Sequence, residues 1–451
     1  MSHRLRFSTR LLYGAGEIAV SIKNAALNQF LLFFYVDIVH VSPMLVGIAV
    51  FFGRFWDAVT DPVVGYLSDT TRSRWGRRRP YVLAAVFPVA LGFYLLFAPP
   101  TWSELAVFAY LVAVYIGLMT VFTLYATPYL AWGAELSDDY HERTSIVQTR
   151  ALFGVLGSLA GASLPVAIAS RFSDAREGFA VAAAVLASVC LATGLLTGLG
   201  VREQRSVEPP NRSWQHFRTG LLQTFANRDF RHIFGVFCAM MLVVSLGNAV
   251  QLFVIKYWLG LYDFFPVIAL SFGLAFVASF PLWRRLSQVF GKHQALLYGL
   301  GMGCLVPWGW FVVPPGNALA MVAFAALGGA SSGAVTLAMS SAIDVIDFDE
   351  LQTGERREGA YFGIWTLGLK TMSALGALLG GAALWVLGAS GAEGLDAATA
   401  WRLVWLVGPL QVAANVFGLL MMRRIRWGHA DVLRLQAALA ERRQQRGQVA
   451  G

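Results

Sequence analysis

Twelve apolar runs, each about 20 residues or longer, set the limits on what this chain can become. They lie at roughly 11–38, 43–66, 80–98, 104–134, 145–170, 177–200, 232–258, 264–283, 293–313, 318–343, 360–388 and 401–423. A helix of that length crosses the hydrocarbon core of a bilayer. The chain is 57% hydrophobic and only 14% charged, more apolar surface than a water-soluble protein of this length hides. A closed barrel is the other solution that satisfies every backbone polar group in lipid, but the runs lack its alternating ten-residue pattern. The expected fold class is an all-α polytopic membrane protein with twelve transmembrane helices.

The net charge of +9 does not point to nucleic acid, because the bases sit in short loops between apolar runs. That distribution follows the positive-inside rule. Lys and Arg gather at the N-terminus, at 67–79, 136–144, 201–231, 284–293 and 344–358, and at the C-terminus. The opposite loops are short and poor in bases, with Arg171 and Arg176 the main exceptions, so both termini are expected in the cytoplasm. The basic N-terminus followed by an apolar stretch resembles a secretory leader. That stretch runs to about Val39 and carries Glu17, Lys23, Asn24 and Asn28, which reads as an uncleaved first span.

The longest polar stretch between spans, 201–231, divides six spans from six. The expected organisation is an N-terminal six-helix bundle over 1–200, a linker over 201–231, a C-terminal six-helix bundle over 232–424 and a tail over 425–451. The halves echo each other: Arg74–Arg79 after span two corresponds to 289–294 after span eight, and Glu142-Arg143 to Arg356-Arg357. Duplication of a six-span unit explains such offsets and places a cavity between two bundles at the midplane. Residues 213–226 form either a helix on the inner membrane surface, with Trp214, Phe217, Leu221 and Leu222 toward lipid, or a solvated linker helix. The tail, with Val432, Leu435 and Leu439 among bases, either lies on the anionic leaflet or frays into solvent.

Span two carries the chemistry. It holds Arg54, Asp57 and Asp61 within an apolar run, and the turn after it holds Arg72, Arg74, Arg77, Arg78 and Arg79. Three ionisable groups at the centre of a span cost about 7–10 kcal/mol to insert. They share one helix face by their i,i+3 and i,i+4 spacing, and that face must meet protein or a water-filled cavity. Two readings follow: a structural ion cluster, or a cation site in which two carboxylates one turn apart are relieved of mutual repulsion by a bound ion. Other chemistry finds little support. Cys190, Cys238 and Cys304 are scattered through apolar runs, the seven histidines form no metal motif, and no phosphate-binding loop is present. No cofactor is expected, and an enzyme is not.

The string Asp57-Ala-Val-Thr-Asp61-Pro-Val-Val-Gly65, followed by Thr71-Arg-Ser-Arg-Trp-Gly-Arg-Arg-Arg-Pro80-Tyr81, resembles the glycoside–pentoside–hexuronide:cation symporters of the major facilitator superfamily, among them the melibiose permeases. Thr127-Pro-Tyr129 with Glu142-Arg-Thr144, and Asp344-Val-Ile-Asp347 with Gly354–Phe362, extend the likeness over nearly the whole chain, in order. The resemblance implies alternating access in a monomer of a bacterial inner membrane, moving a small solute with Na+ or H+. It assigns the ion to Asp57 and Asp61, with Thr60 in place of the family's asparagine and Thr123 nearby, and it matches the span-eleven lysine to Lys370. The span-five arginine is kept as Arg150. The sugar-binding acids are not kept: Ser21 and Ala126 stand at their positions, and Leu130 replaces a tryptophan.

That departure argues against α-galactosides. It leaves two solute classes open, a glycoside, pentoside or hexuronide, and a lysophospholipid of the kind carried by the sodium-dependent branch. Arg150 pairs either with solute or with an acid on a neighbouring span. Asn24 with Lys23 and Asn28, and Asn248 with Gln251, either touch solute or join helices. Glu17 and Lys256 are partners of buried charge or cavity residues. Arg54 and Lys370 are candidates for coupling, Lys370 also for solute contact. Arg77 and its neighbours face the acids Asp138, Asp139, Asp347 and Asp349 as a candidate inner gate.

Overall fold

The computed structural model describes residues 5–137, 139–202, 223–353, 357–388 and 395–425, with 431, 432, 434, 435 and 438 of the tail. The surface helix expected over 213–226 falls mostly outside the described residues, as do Asp138, Gly354, Glu355, Arg356 and Leu439. Among the described residues the regular structure is entirely helical. Twelve helices are long and apolar enough to cross a membrane. They are α1 Phe7–Ile38, α2 Pro43–Thr70, α3 Arg79–Leu96, α4 Glu104–Glu135, α5 His141–Ala169 and α6 Ala175–Gly200, then α7 Arg228–Trp258, α8 Tyr262–Phe290, α9 Lys292–Val312, α10 Ala318–Leu351, α11 Glu358–Val386 and α12 Ala397–Met422. The chain is an integral multi-pass membrane protein.

Several helices outrun their apolar cores. The last turn of α2 reaches Thr70, and α10 runs on to Leu351, because a helix keeps its backbone bonds satisfied after it leaves hydrocarbon while an unpaired end does not. Prolines mark the breaks. Pro281 follows the interruption at Ser279 in α8, and Pro307 lies in a 3-10 turn within α9. Each lacks the N–H that would continue the ladder. Span ten breaks at Gly333, packed so close to Ser279 that a Cβ would stand 2.0 Å from its hydroxyl oxygen. The Trp283 indole donates to the Ala330 carbonyl at 2.8 Å, replacing a partner lost at that break.

The first six spans pack against one another: α1 on α5 and α6, α2 and α3 on α4, α3 on α6. Spans one and five approach most closely. On α5, Gly157 and Gly161 face α1 where a Cβ would come within 2.9 Å of the Ile18 carbonyl and 2.6 Å of the Ile22 carbonyl. Small residues permit such backbone contact, the main source of helix association where both surroundings are apolar.

By internal packing the chain forms two compact units. One takes in the described residues of 1–210, 245–270 and 374–403, the other those of 211–244, 271–373 and 404–451. Within the first, the ends of α1 and α2 farther from the arginine turn meet parts of α7 and α11. Phe33 lies edge-on to Phe253, and Gly381 packs where a Cβ would stand 2.4 Å from the Pro43 carbonyl. The second has its own core around Phe237, Trp283, Leu300, Ile346, Tyr361 and Trp365.

Internal repetition is visible in the backbone. Spans one and seven both end in a π-helical turn, Phe34–Ile38 and Val254–Trp258. The closing bonds match: Val39 N–H to Phe34 O and Val41 N–H to Tyr35 O in one, Leu259 N–H to Val254 O and Leu261 N–H to Ile255 O in the other.

Replacing Gly161 by Val should destabilise the protein by about 1–3 kcal/mol through overpacking. Purified variant should then unfold several degrees below wild type in a detergent thermal melt, whereas Gly301→Val, where a Cβ meets nothing within 4 Å, should cost far less.

Candidate ion and solute site

The two span-two acids are met by hydroxyls from α4, one turn at a time. Thr123 lies 2.8 Å from Asp57 Oδ1 and donates to it, with the Met119 carbonyl also in reach at 3.0 Å. One turn on, Thr127 donates to Asp61 Oδ1 at 3.3 Å. Thr60 sits between the two levels, its hydroxyl 3.3 Å from that of Thr123. Asp57 is 9% exposed, and Asp61 is half-buried. The i,i+4 repeat of acids on one helix therefore faces an i,i+4 repeat of threonines on its neighbour.

Backbone chemistry adds to this cluster. Asp61 and Thr127 each precede a proline inside a helix, Pro62 and Pro128. A proline cannot return an N–H to the carbonyl four residues back, so the carbonyls of Ala58 and Leu124 lose their ladder partners. Two carboxylates, hydroxyls and freed carbonyls are hard oxygen donors of the kind that suits Na+ or a proton rather than a soft metal. In the sequence Thr127 is marked only by its motif with Pro128 and Tyr129; the signal that ties it to the site is its spacing of one turn from Thr123.

Spans one, four and five meet beside the cluster. Tyr13 and Tyr129 stack at 4.8 Å and each hydroxyl donates to the other residue's carbonyl, at 3.2 and 3.0 Å. Tyr125 donates to the Gly16 carbonyl at 3.1 Å. Against this platform Arg150 Nε lies 3.5 Å from Glu17 Oε2, so Arg150 meets an acid on a neighbouring span. Ser21 is buried next to Gly154, whose missing side chain leaves room for Ser21 and Glu17. Asn24 is exposed, Ala126 is half-buried and Leu130 is 45% exposed. Arg54 donates to the Asn28 carboxamide oxygen. Lys370 belongs to the second unit, half-buried on α11.

Several of the remaining charges meet partners within one unit. Arg77 meets Glu135 at 3.1 Å, and Arg78 bridges Ser68, Asp69 and Glu135. Arg79 donates to the carbonyls of Gly198 and Leu199. Asp139 caps α5 by accepting from the Glu142 N–H, Asp349 pairs with Arg357 at 3.0 Å, and Asp347 lies on α10. The second unit repeats the first unit's bond between a base after an even span and an acid near the end of the fourth: Lys292 meets Asp344 at 2.8 Å. At the far end of the spans Lys256 meets Asp37 at 2.6 Å, and the Tyr257 hydroxyl donates to the same carboxylate.

Comparisons agree with this architecture. A family described as MFS/sugar transport protein matches residues 12–427. The chain is 26% identical to Escherichia coli YagG, named for glycoside/cation symport, over 94% of this chain and 93% of that one. It is 25% identical to the sodium-dependent lysophosphatidylcholine symporter 1 of Xenopus tropicalis, over 76% and 72%. The crystal structure of the nucleoside transporter NupG superposes with a TM-score of 0.68 at 12% identity, over 93% of this chain and 100% of that one, a likeness of fold alone.

Glu135→Ala would leave two guanidiniums, 11% and 5% exposed, without their shared acid. Stripping one partner from a buried pair costs about 3–5 kcal/mol. The variant should show a lowered melting temperature and a reduced monodisperse yield, while Glu135→Asp should recover part of both.

Proposed function

The chain belongs to the MFS/sugar transport protein family, and from that premise we propose that it is a symporter driving a glycoside, pentoside or hexuronide with Na+ or H+ through an inner membrane. The observation that carries this reading is the paired register of α2 and α4, Asp57 with Thr123 and Asp61 with Thr127. In a desolvated site, two carboxylates a turn apart are stable together only with a positive charge between or beside them. A site built of hydroxyl and carboxylate oxygen supplies that place for a small cation. Coupling follows when the change of access is cheap only with ion and solute both bound.

Each proposed residue has a role. Asp57, Asp61, Thr60 and Thr123 hold the ion, with Thr127 added by its bond to Asp61. Arg150, Ser21, Asn24, Ala126, Leu130 and Lys370 line the solute path. Arg54 and Lys370 carry coupling, and Arg77 and Asp347 lie at the inner gates of their own halves. The two halves, 1–200 and 232–424, rock about the solute with the linker 201–231 between them and both termini cytoplasmic. A lysophospholipid is the second reading. What favours it is the replacement of the family's sugar-binding acids by Ser21 and Ala126 and of its tryptophan by Leu130, a large apolar side chain left 45% exposed, together with the Xenopus relative.

Uptake by the reconstituted protein decides between them. Under imposed Na+ or pH gradients, a hexuronide or glycoside should accumulate and a lysophosphatidylcholine should not. Asp57→Asn should abolish gradient-driven accumulation, and Thr127→Val should raise the ion concentration for half-maximal uptake about tenfold, the loss of one charge-assisted hydrogen bond. Accumulation undiminished in Asp57→Asn would remove the ion site from this reading.

A further inference from the structure

Glu17, on α1, serves neither the ion site nor a gate, yet it is the acid that meets Arg150. Its Oε2 lies 3.5 Å from Arg150 Nε, longer than the about 2.7–2.9 Å of a charge-assisted N–H···O bond. That oxygen accepts no hydrogen bond among the described residues. Neither side chain is sealed in: 16% of the Glu17 side chain and 31% of the Arg150 side chain reach the surface. A carboxylate only accepts and a guanidinium only donates. The pair therefore offers both kinds of partner at one place, with charges that cancel.

Its setting gives access to both groups. Polar residues on α1 fall at Glu17, Ser21, Asn24 and Asn28, the i, i+4, i+7 and i+11 positions of one helix face. Asn24 and Asn28 are exposed, and a polar face along a span meets a water-filled cavity rather than lipid. Across from Glu17 and Ser21 stands Gly154, where a Cβ would come within 3.3 Å of Glu17 Cγ and 3.4 Å of Ser21 Oγ. The room left there lets the carboxylate turn about its last bond, a broad torsion in glutamate. Other bases of the unit are engaged at other places. Arg10, two turns nearer the start of α1, donates to Ser145. Arg54 meets the polar face at Asn28, about 16 Å further along the helix. Lys23 stands over the Phe122 ring of α4.

Resting on the sugar-symport reading and narrowing its substrate class, we propose that Glu17 is a specificity residue. With Arg150 it selects a neutral glycoside or pentoside and rejects a hexuronide. Neighbouring hydroxyls of a neutral sugar donate to the carboxylate and accept from the guanidinium, which supplies the bond that Glu17 Oε2 lacks. A hexuronide brings a second carboxylate to a guanidinium that already faces one. Like charges a few ångströms apart in a partly desolvated site repel, and Glu17 is tethered there by its backbone. Discrimination of this kind comes from the repulsive element as much as from the attractive one. Without Glu17 the preference turns over, because a guanidinium pairs best with a carboxylate.

The test is uptake by the full-length protein in proteoliposomes, under Na+ or pH gradients imposed separately. The probes are pairs that differ only in a CH2OH against a carboxylate: methyl β-glucoside with methyl β-glucuronide, and methyl β-galactoside with methyl β-galacturonide. Methyl β-xyloside serves as the pentoside. Wild type should take up a neutral member about tenfold faster than its acid or more, as juxtaposed like charges require. Glu17→Gln should lower neutral uptake about tenfold, the loss of a hydrogen bond to a charged group, and raise uptake of the acid. Glu17→Asp keeps the charge and should keep the order, with a higher KM. A residue that only props Arg150 would lower both members together in Glu17→Gln and leave their ratio unchanged. If Glu17→Gln does not fold, the wild-type ratio and Glu17→Asp carry the test.

Equal or faster uptake of the acid by wild type, or an unchanged ratio in Glu17→Gln, would overturn the inference and leave the sugar symporter standing. Accumulation of none of these sugars, with or without accumulation of lysophosphatidylcholine, would overturn the sugar reading and the inference together.

Discussion

A carboxylate in the middle of a membrane-crossing helix has to be met by a group from another helix, and this requirement organises the first half of the molecule. Asp57 and Asp61 cannot face lipid, so α2 must lie against a helix that repeats hydroxyls at the same interval. Span four does so with Thr123 and Thr127. Register follows from that match: a slip of one residue would turn the hydroxyls through 100° and leave both acids bare. Prolines 62 and 128 loosen both helices at this level, so the backbone contributes oxygen where the side chains do.

The rest of the unit holds α1 against this pair. Gly157 and Gly161 bring α5 to the backbone of α1, and the reciprocal bonds of Tyr13 and Tyr129 fasten α1 to α4. These contacts place Glu17, Ser21 and Lys23 along one helix beside Arg150 and Phe122. Close packing of small and aromatic groups thus positions the charges, since electrostatics between flexible side chains would not by itself fix helices to a fraction of an ångström.

The second half uses the same devices with different residues. The π-helical ends of α1 and α7 carry matching backbone bonds, and the ion pairs Arg77–Glu135 and Lys292–Asp344 hold comparable places. What the second half lacks on its second span is the acid pair. The chemistry is therefore unequal between halves that share a backbone plan, as expected when a duplicated scaffold is kept for its mechanics and specialised on one side.

Much of this was legible in the residues themselves. Span number and approximate limits follow from apolar runs of bilayer length, because lipid admits so few backbone solutions, and the acids of span two declare themselves by their cost. The motif around Asp57–Tyr81 points to the superfamily whose MFS/sugar transport family matches residues 12–427. Tertiary structure alone decided the partners: that Thr127 reaches Asp61, that Glu17 meets Arg150, that Lys256 meets Asp37, and that Lys23 lies over Phe122. It also decided where helices break, at Ser279 and Gly333, since a proline or a run of small residues permits a break that packing must then accept. The physical reason is one of range. Insertion into lipid is a sum over local residues and can be read in order along the chain. A charge finds its partner tens to hundreds of positions away, and nothing in a helix's own sequence states which neighbour it will face.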